Sequence, residues 1–428
     1  MPSPARGVAL QVLLAVDARG PTLADRLAEA DAAALAPRER GFLHELVLGT
    51  LRQRGRLDAA LGPLLSRPLD ELEPPVRAAL RLGAHQLLSL RVPDRAAVSE
   101  SVELVRQAQP RATGLVNAVL RRLAREGEPP EPDPERDTQR WLETRGSLPA
   151  WLARRWTARL GPAAAVARAR ALLEPPPVDL RLHPARPEAA SRLAGAFATT
   201  PLPVPGALRA PTAAAAPAAR LAEQGLVWVL DMGSQLVARL SAAPGLALDV
   251  CAAPGGKAAL LGDAGAARVI ALEPSPRRRA TLAVLLRRWG AERVAVVGGD
   301  ALRLPLRARA ASVLVDAPCS GLGTLARHPD LRWRVSRSSL ARHARRQAAL
   351  IEAAAAAVAP GGRLVYSTCS SEPEENAEVV QAFRARHPEF APGPLPDWAA
   401  RFAEADFVST RPERDGGDAF CAALLVRR

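Results

Sequence analysis

Cys319 and Cys369 are the two side chains of this sequence best placed to make and break a covalent bond. Each follows an apolar run: Leu314-Val315-Asp316-Ala317-Pro318-Cys319, then Ser320-Gly321-Leu322-Gly323-Thr324, and Leu364-Val365-Tyr366-Ser367-Thr368-Cys369-Ser370. Two strands that end this way deliver both thiols to one sheet edge, where they can face each other across a cleft. A thiolate is a strong nucleophile once its surroundings lower the cost of its charge. Asp316, two residues before Pro318, adds a carboxyl that can donate or accept a proton. Nucleophile, acid and base are thus all available, and residue type alone does not decide which thiol attacks. The other two cysteines, Cys421 and, for the most part, Cys251, read as buried structural thiols.

A second constellation is Leu246-Ala247-Leu248-Asp249-Val250-Cys251-Ala252-Ala253-Pro254-Gly255-Gly256-Lys257. An apolar strand runs into a Pro-Gly-Gly turn and then a helix, and glycines there let a ligand approach the backbone closely. The turn is not GxGxxG, which counts against a nicotinamide cofactor, and no histidine is suitably placed for hydride transfer. Glu273 closes the next strand, 17 residues after Gly256, where it can hold two ribose hydroxyls; Asp300 ends the third and can meet an adenine amino group. Residues 251–257, Glu273, Asp300 and Asp316 are therefore the candidate cofactor contacts. Lys257 is the single lysine among 58 basic residues. Arginine would serve for bulk charge, so this position calls for a compact ammonium group that lowers a thiol pKa or holds the base.

These elements need a scaffold. Strands are expected at 246–250, 269–273, 294–297, 312–316 and 363–368 with helices between them, which makes a mostly parallel, doubly wound sheet, and a last strand near 419–426 suits an edge. Apolar residues at helical spacing fill 8–16, 42–51 and 76–90, broken by Pro37, Pro63, Pro74-Pro75 and Pro93, so residues 1–125 form a helical bundle. Residues 126–143 are a Pro- and acid-rich linker. Residues 144–225 form a small α+β module with a helix over 151–173, a strand at 178–182 and a loop-heavy 201–220; residues 226–428 form the doubly wound domain.

Net charge is +14, which favours a polyanionic partner, above all nucleic acid. No apolar stretch is long enough for a membrane span, and the first 20 residues read as an amphipathic helix, not a signal peptide. Four scattered cysteines without CxxC pairs argue against a metal site or disulfides, and for a cytoplasmic protein with reduced thiols. No oligomerisation signal is evident, so a monomer is expected.

One reaction needs such a set of groups. Carbon 5 of cytosine is a poor nucleophile until a thiolate adds at carbon 6, and after methyl transfer a base must remove the carbon 5 proton before the thiol leaves. The target must be single-stranded or flipped out of a helix. The strings 251–257 and 316–324, Arg327-His328-Pro329-Asp330-Leu331-Arg332-Trp333, and 366–370 followed by Glu372-Pro373-Glu374-Glu375-Asn376 together resemble the Sun-type RNA cytosine-5 methyltransferases. The helical first domain resembles the RNA-binding antitermination factor NusB.

The resemblance covers most of the chain and is weakest over 144–225. It implies a multidomain protein: an all-α NusB-like bundle, a small α+β RNA-binding module and an α/β Rossmann-like class I methyltransferase domain. It also implies S-adenosylmethionine as methyl donor and RNA as substrate, with 16S small-subunit ribosomal RNA ahead of transfer RNA because transfer RNA members of the family generally carry other accessory modules. By the same resemblance Cys369 attacks the base and Cys319 releases the product, with Asp316 and Lys257 in support. Arg327, His328 and Gln235 are candidates for touching the target nucleotide, and Asn117 for an RNA or interdomain contact. The Arg-rich stretch 341–346 reads as a solvated helix face. Two departures from the family pattern, Ala258 where a small hydroxyl residue is common and Glu273 where Asp is usual, bear on cofactor contacts. A non-catalytic RNA-binding protein on the same scaffold is the alternative of another class, and a pure binder has no need of two opposed thiols.

Overall fold

The computed structural model describes residues 3–17, 22–31, 35–305 and 308–428; of the first 20 residues, the helix expectation is met over Pro4–Asp17, and 18–20 lie outside the described residues. The chain divides into two compact units, 1–174 with 325–334, and 175–324 with 335–428.

The first unit is helical. Helices Pro4–Asp17, Leu23–Asp31, Pro37–Arg52, Arg54–Leu61, Pro74–Ser89, Asp94–Ala108 and Thr113–Glu126 surround a core that includes Leu43, Leu46, Leu57, Leu80, Val116 and Leu120. Pro37 and Pro74 open helices at the first position, where a missing N–H costs nothing. The acidic stretch after Glu126 is tied down. Glu128 accepts both Arg56 nitrogens at 2.8 and 2.7 Å, and Glu131 accepts the Trp141 indole N–H at 2.7 Å. The boundary expected at 143/144 is therefore replaced by one at 174/175. Helices Thr138–Thr144, Ala150–Leu160 and Pro162–Leu173 belong to the first unit, and the helix expected over 151–173 is split at Gly161, φ +83°.

The second unit holds two sheets. The smaller, in the order β2-β3-β1-β4, is antiparallel and comprises β1 (Val178–Leu182), β2 (Thr200–Pro201), β3 (Ala207–Ala210) and β4 (Val227–Val229). The expected start of the last domain at 226 thus falls before a strand of this small sheet, and the stretch 201–220, read as loop-heavy, supplies β3 and most of the helix Ala215–Glu223.

The larger sheet comprises β5 (Gly245–Asp249), β6 (Ala266–Leu272), β7 (Val294–Val297), β8 (Ala310–Asp316), β9 (Val358–Thr368), β10 (Phe390–Pro392), β11 (Ala403–Glu404), β12 (Phe407–Ser409) and β13 (Cys421–Arg427). Its order is β11-β12-β13-β9-β8-β5-β6-β7, with β10 also on β13. The five strands from β9 to β7 are parallel, whereas β13 is antiparallel to β9. The last strand, expected at an edge, is interior: β12 and β9 pair with its two sides, and its run Ala422-Ala423-Leu424-Leu425 sends alternate residues into the two cores.

Alternation explains why these strands read as continuous apolar runs. Ala247, Leu314, Val365 and Leu424 point into one core with Leu282 and Leu286 of the helix Pro276–Trp289; Leu248, Val313, Val315, Leu364 and Tyr366 point into the other with Leu350, Ile351 and Phe383. With helices on both faces, everything at the carboxyl edge of β5, β8 and β9 converges at the point where strand order reverses. Among the described residues no helix is long and apolar enough to cross a membrane.

Candidate active site

Because β8 lies between β5 and β9, the loops that follow these three strands are neighbours. Cys319 and Cys369 follow β8 and β9, and their sulfurs are 3.2 Å apart. The Cys319 thiol is pushed well above its ordinary value, first by its hydrogen bond to Cys369 and then by burial. Cys319 therefore keeps its proton at neutral pH and can donate it to the Cys369 sulfur.

Asp316, the last residue of β8, stands between the thiols and the glycine turn. Lys257 Nζ lies 2.8 Å from Asp316 Oδ2 and 3.1 Å from Ser234 Oγ, and 5.2 Å from the centre of the Phe420 ring. The Ser367 hydroxyl donates to Asp316 Oδ1 at 2.9 Å. Burial works against the Lys257 charge, but Asp316 more than compensates and the net shift is upward. Lys257 is thus a fixed cation.

Both cysteine loops are clasped by Glu375. This fully buried carboxylate accepts the Ser320 N–H at 2.8 Å, the Ser320 and Ser370 hydroxyls at 2.5 Å each, and Gln347 Nε2 at 3.2 Å. Gln347 also donates to Pro318 O at 3.0 Å. Asn376 accepts the Thr368 hydroxyl at 2.6 Å and donates to Ser370 O and Glu372 O. Gly323 closes the assembly: a Cβ there would come within 2.3 Å of Ala419 O and 2.7 Å of Cys369 O.

The glycine turn runs from β5 into the helix Gly256–Asp263. Gly255 has φ +118°, and a Cβ on it would sit 2.6 Å from Leu282 Cδ1, so only glycine fits. Asp249, at the end of β5, accepts the Cys251 N–H through Oδ1 at 3.2 Å, while its buried Oδ2 has no partner. Burial, aided by Asp316, raises its carboxyl to about 7. The half-buried Cys251 thiol is also pushed up by burial, which makes it unreactive. Ala252 is buried, Ala253 O accepts Arg278 at 3.2 Å, and Pro254 is exposed in a cis peptide. Glu273 is buried just past β6, where Oε1 accepts the Ser275 N–H at 2.9 Å. Asp300, past β7, is exposed and caps a short turn through the Leu302 N–H.

Gln235 is fully buried and its amide donates to Leu180 O at 3.1 Å and Leu230 O at 2.8 Å, holding the small sheet to the helix Met232–Ser241. Both amide hydrogens of this expected nucleotide contact are thus used on main-chain carbonyls, while its buried Oε1 has no partner among the described residues. Arg327 and His328 belong to the segment 325–334, which packs within the first unit. Its anchor is Arg332, fully buried, which donates to Leu172 O at 2.6 Å and to Arg52 O at 3.1 Å. The second unit taken by itself does not contain these two residues. Ser234, Phe420, Gln347, Asp249 and the clasp role of Glu375 were not read from the sequence. One signal pointed to the clasp: Asn376 is one of only two asparagines in the chain.

A doubly wound sheet with a glycine turn after its first parallel strand, and with helices on both faces, defines a Rossmann-like α/β domain. Residues 242–426 match the family described as 16S rRNA methyltransferase RsmB/F, and residues 3–125 match the NusB family. The chain is 39% identical over 433 residues to the ribosomal RNA small subunit methyltransferase B of Thermus thermophilus, spanning 99% of this chain and 97% of that one. A putative methyltransferase of Mycobacterium tuberculosis is 37% identical over 452 residues, spanning 99% and 96%. The crystal structure of PH0851 shares the fold, with a TM-score of 0.80 at 22% identity over 99% of both chains. The chain therefore belongs to the 16S rRNA methyltransferase RsmB/F family, and it is an RNA methyltransferase with a NusB domain at its N-terminal end.

Proposed function

We propose that this protein methylates carbon 5 of a cytosine in small-subunit ribosomal RNA, with S-adenosylmethionine as donor and a covalent bond between Cys369 and carbon 6 as the intermediate. The observation that carries the proposal is the pair of thiols 3.2 Å apart beside the Lys257–Asp316 ion pair. The name of the Thermus thermophilus relative supports small-subunit ribosomal RNA as the substrate.

The residues at the sheet edge fit the cofactor. Gly255 leaves the turn without side-chain bulk, Asp249 Oδ2 is a buried acceptor with no partner, and Glu273 offers a second buried carboxylate one strand away. Asp300 would complete the set from β7. When bound, S-adenosylmethionine supplies an electrophilic methyl group.

The residues of the chain do the rest. The Cys369 proton passes by way of Asp316 to N3 of the base, a hydrogen bond from the Cys319 S–H stabilises the thiolate left on Cys369, and that thiolate adds to carbon 6 and shifts electron density to carbon 5. Asp316 hydrogen-bonded to N3 stabilises the adduct, and Lys257 fixes its orientation. After carbon 5 is methylated, Cys319 gives its own proton to solvent and, as a thiolate, takes the carbon 5 proton; the carbon 5–carbon 6 double bond re-forms and the Cys369 thiolate leaves. Both thiols must be reduced, which suits a cytoplasmic setting.

The test is a denaturing gel of Cys319→Ala and Cys369→Ala incubated with S-adenosylmethionine and small-subunit ribosomal RNA. A denaturant-resistant protein–RNA band with Cys319→Ala alone is expected, since that variant forms the adduct and fails to release it. A band with Cys369→Ala alone would exchange the two roles. Absence of both, with wild type also failing to label the RNA, would move the substrate elsewhere, transfer RNA first.

A further inference from the structure

The helix Arg337–Ala355 packs on β8 and β9 with Leu340, Gln347, Leu350, Ile351 and Ala354 inward. Its opposite face carries Arg337, Arg342, Arg345 and Arg346, all exposed, and its first ten residues include no acid. Among the described residues none of these four arginines has an ion-pair or hydrogen-bond partner.

Stability does not account for them. Cations at the N-terminal end of a helix oppose its dipole, and Arg342 and Arg346, one turn apart, repel each other. The other Arg-rich helix of this unit, Pro276–Trp289, is different. There Arg278 reaches Glu273, Arg279 donates to Glu273 O, and Arg287 and Arg288 lie in the last turn, where the dipole favours them. Of these two helices, it is the Arg337–Arg346 set that lacks both side-chain partners among the described residues and a favourable helix-end position.

The set also begins at the cleft. Gln347, next to Arg346, donates to Pro318 O, one residue from Cys319, and to the Glu375 clasp. Arg346 acts electrostatically on the Cys251 thiol of the glycine turn, and His343, half-buried on the same helix, faces Glu375; burial lowers the His343 pKa, so it adds no lasting charge. A strand whose one base enters the cleft must carry its flanking phosphates past this edge.

We infer that Arg337, Arg342, Arg345 and Arg346 form a track for the phosphate backbone of single-stranded RNA beside the target nucleotide, an inference that rests on the proposed function. Guanidinium forks bind phosphate oxygens in pairs, and the set extends roughly 14 Å along the helix, enough for a few nucleotides. It replaces the sequence expectation of a merely solvated face.

The test uses the full chain with Arg342, Arg345 and Arg346 changed together to Gln, and an Arg287→Gln/Arg288→Gln variant that removes comparable charge elsewhere. RNA binding to a small-subunit ribosomal RNA fragment is measured across a salt series, with methyl-transfer kinetics alongside. Three lost contacts to a single strand should shrink the log–log salt slope by about 2. KM for RNA should rise about tenfold or more while kcat at saturating RNA holds within about twofold. The control pair should leave the slope near wild type. An unchanged slope and KM in the triple variant, or an equal change in the control, would overturn the track. If wild type itself methylates no RNA, the proposed function fails, while the binding slopes still decide the track.

Discussion

Lys257 is the position where a single substitution most sharply separates charge from shape. Its ammonium sits 2.8 Å from Asp316 Oδ2, 3.1 Å from Ser234 Oγ and 5.2 Å from the Phe420 ring centre, with only 13% of the side chain exposed. Lys257→Met keeps the stem and removes the charge. Breaking one partner out of a buried pair costs about 3–5 kcal/mol. Asp316 is a quarter exposed and keeps its bond from Ser367, which brings that down to about 2 kcal/mol, and the lost ring contact adds about 1. A net loss of about 3 kcal/mol corresponds to a Tm lower by about 6–12 °C for a unit of this size.

Lys257→Arg keeps the charge but must fit a planar fork between Ser234 and Phe420, at about 1–3 kcal/mol of overpacking. Thermal unfolding followed by circular dichroism, with methyl transfer measured below the lower Tm, reads both variants. Expected are a large drop in Tm for Met, a smaller one for Arg, and strongly reduced kcat for both. An Arg variant equal to wild type in Tm and kcat would refute the case that this one position requires a compact ammonium in a chain otherwise furnished with arginine.

Two further outcomes follow from buried carboxylates. Glu375→Ala leaves the Ser320 N–H, two serine hydroxyls and the Gln347 amide without their acceptor. At about 1–3 kcal/mol per stranded buried donor, partly relieved by water, urea unfolding should show a loss of about 3–5 kcal/mol, against about 1–2 for Glu375→Gln; equal and small losses would show that the clasp is dispensable. Asp249, raised to about 7, is protonated in the fold where the unfolded chain is already ionised. Its penalty is absent below the unfolded value near 4, grows as pH rises from there, and is complete above about 7. Asp249→Asn should therefore stabilise the unliganded protein by about 1–2 kcal/mol at pH 5 and about 4 at pH 8, and a gain independent of pH would contradict the burial account.

The sheet was legible because its strands are buried on both faces, so Leu246–Asp249, Val313–Asp316 and Leu364–Thr368 stand out as apolar runs that end in polar residues. The thiols, Asp316 and the glycine turn were legible for the same reason: each is fixed by its distance from a strand end. What lay outside that register was not. Glu375 acts seven residues after β9 through a short turn, and Ser234 and Phe420 reach Lys257 from a helix before β5 and a loop before β13. Gln235 looked exposed because polar residues usually are, yet it is fully buried and its Nε2 is spent on two carbonyls. The interior place of β13 was hidden because apolar composition does not say which neighbour a strand pairs with. The helices at 138–173 were assigned to the wrong unit because an acidic, proline-rich stretch looks like a linker until its acids find Arg56 and Arg145.

The proposed chemistry demands that Cys319 be acidic enough to be useful late and too basic to compete early. The thiol pair meets that demand by its own geometry. While Cys369 is a free sulfur 3.2 Å away, the hydrogen bond between the two and burial hold the proton on Cys319, and Glu375 adds to the effect. Once Cys369 is bonded to carbon 6, that sulfur carries no charge and is a weak acceptor, so the largest cause of the raised pKa is gone. Cys319 then becomes easier to ionise, giving its proton to solvent, at the stage when a base is needed. Returning the carbon 5 proton to Cys319 frees Cys369 and restores the first arrangement. Sequence, strand order and the Glu375 clasp thus converge on one distance: separating the sulfurs by the width of a water molecule would leave both thiols present but uncouple attack from release.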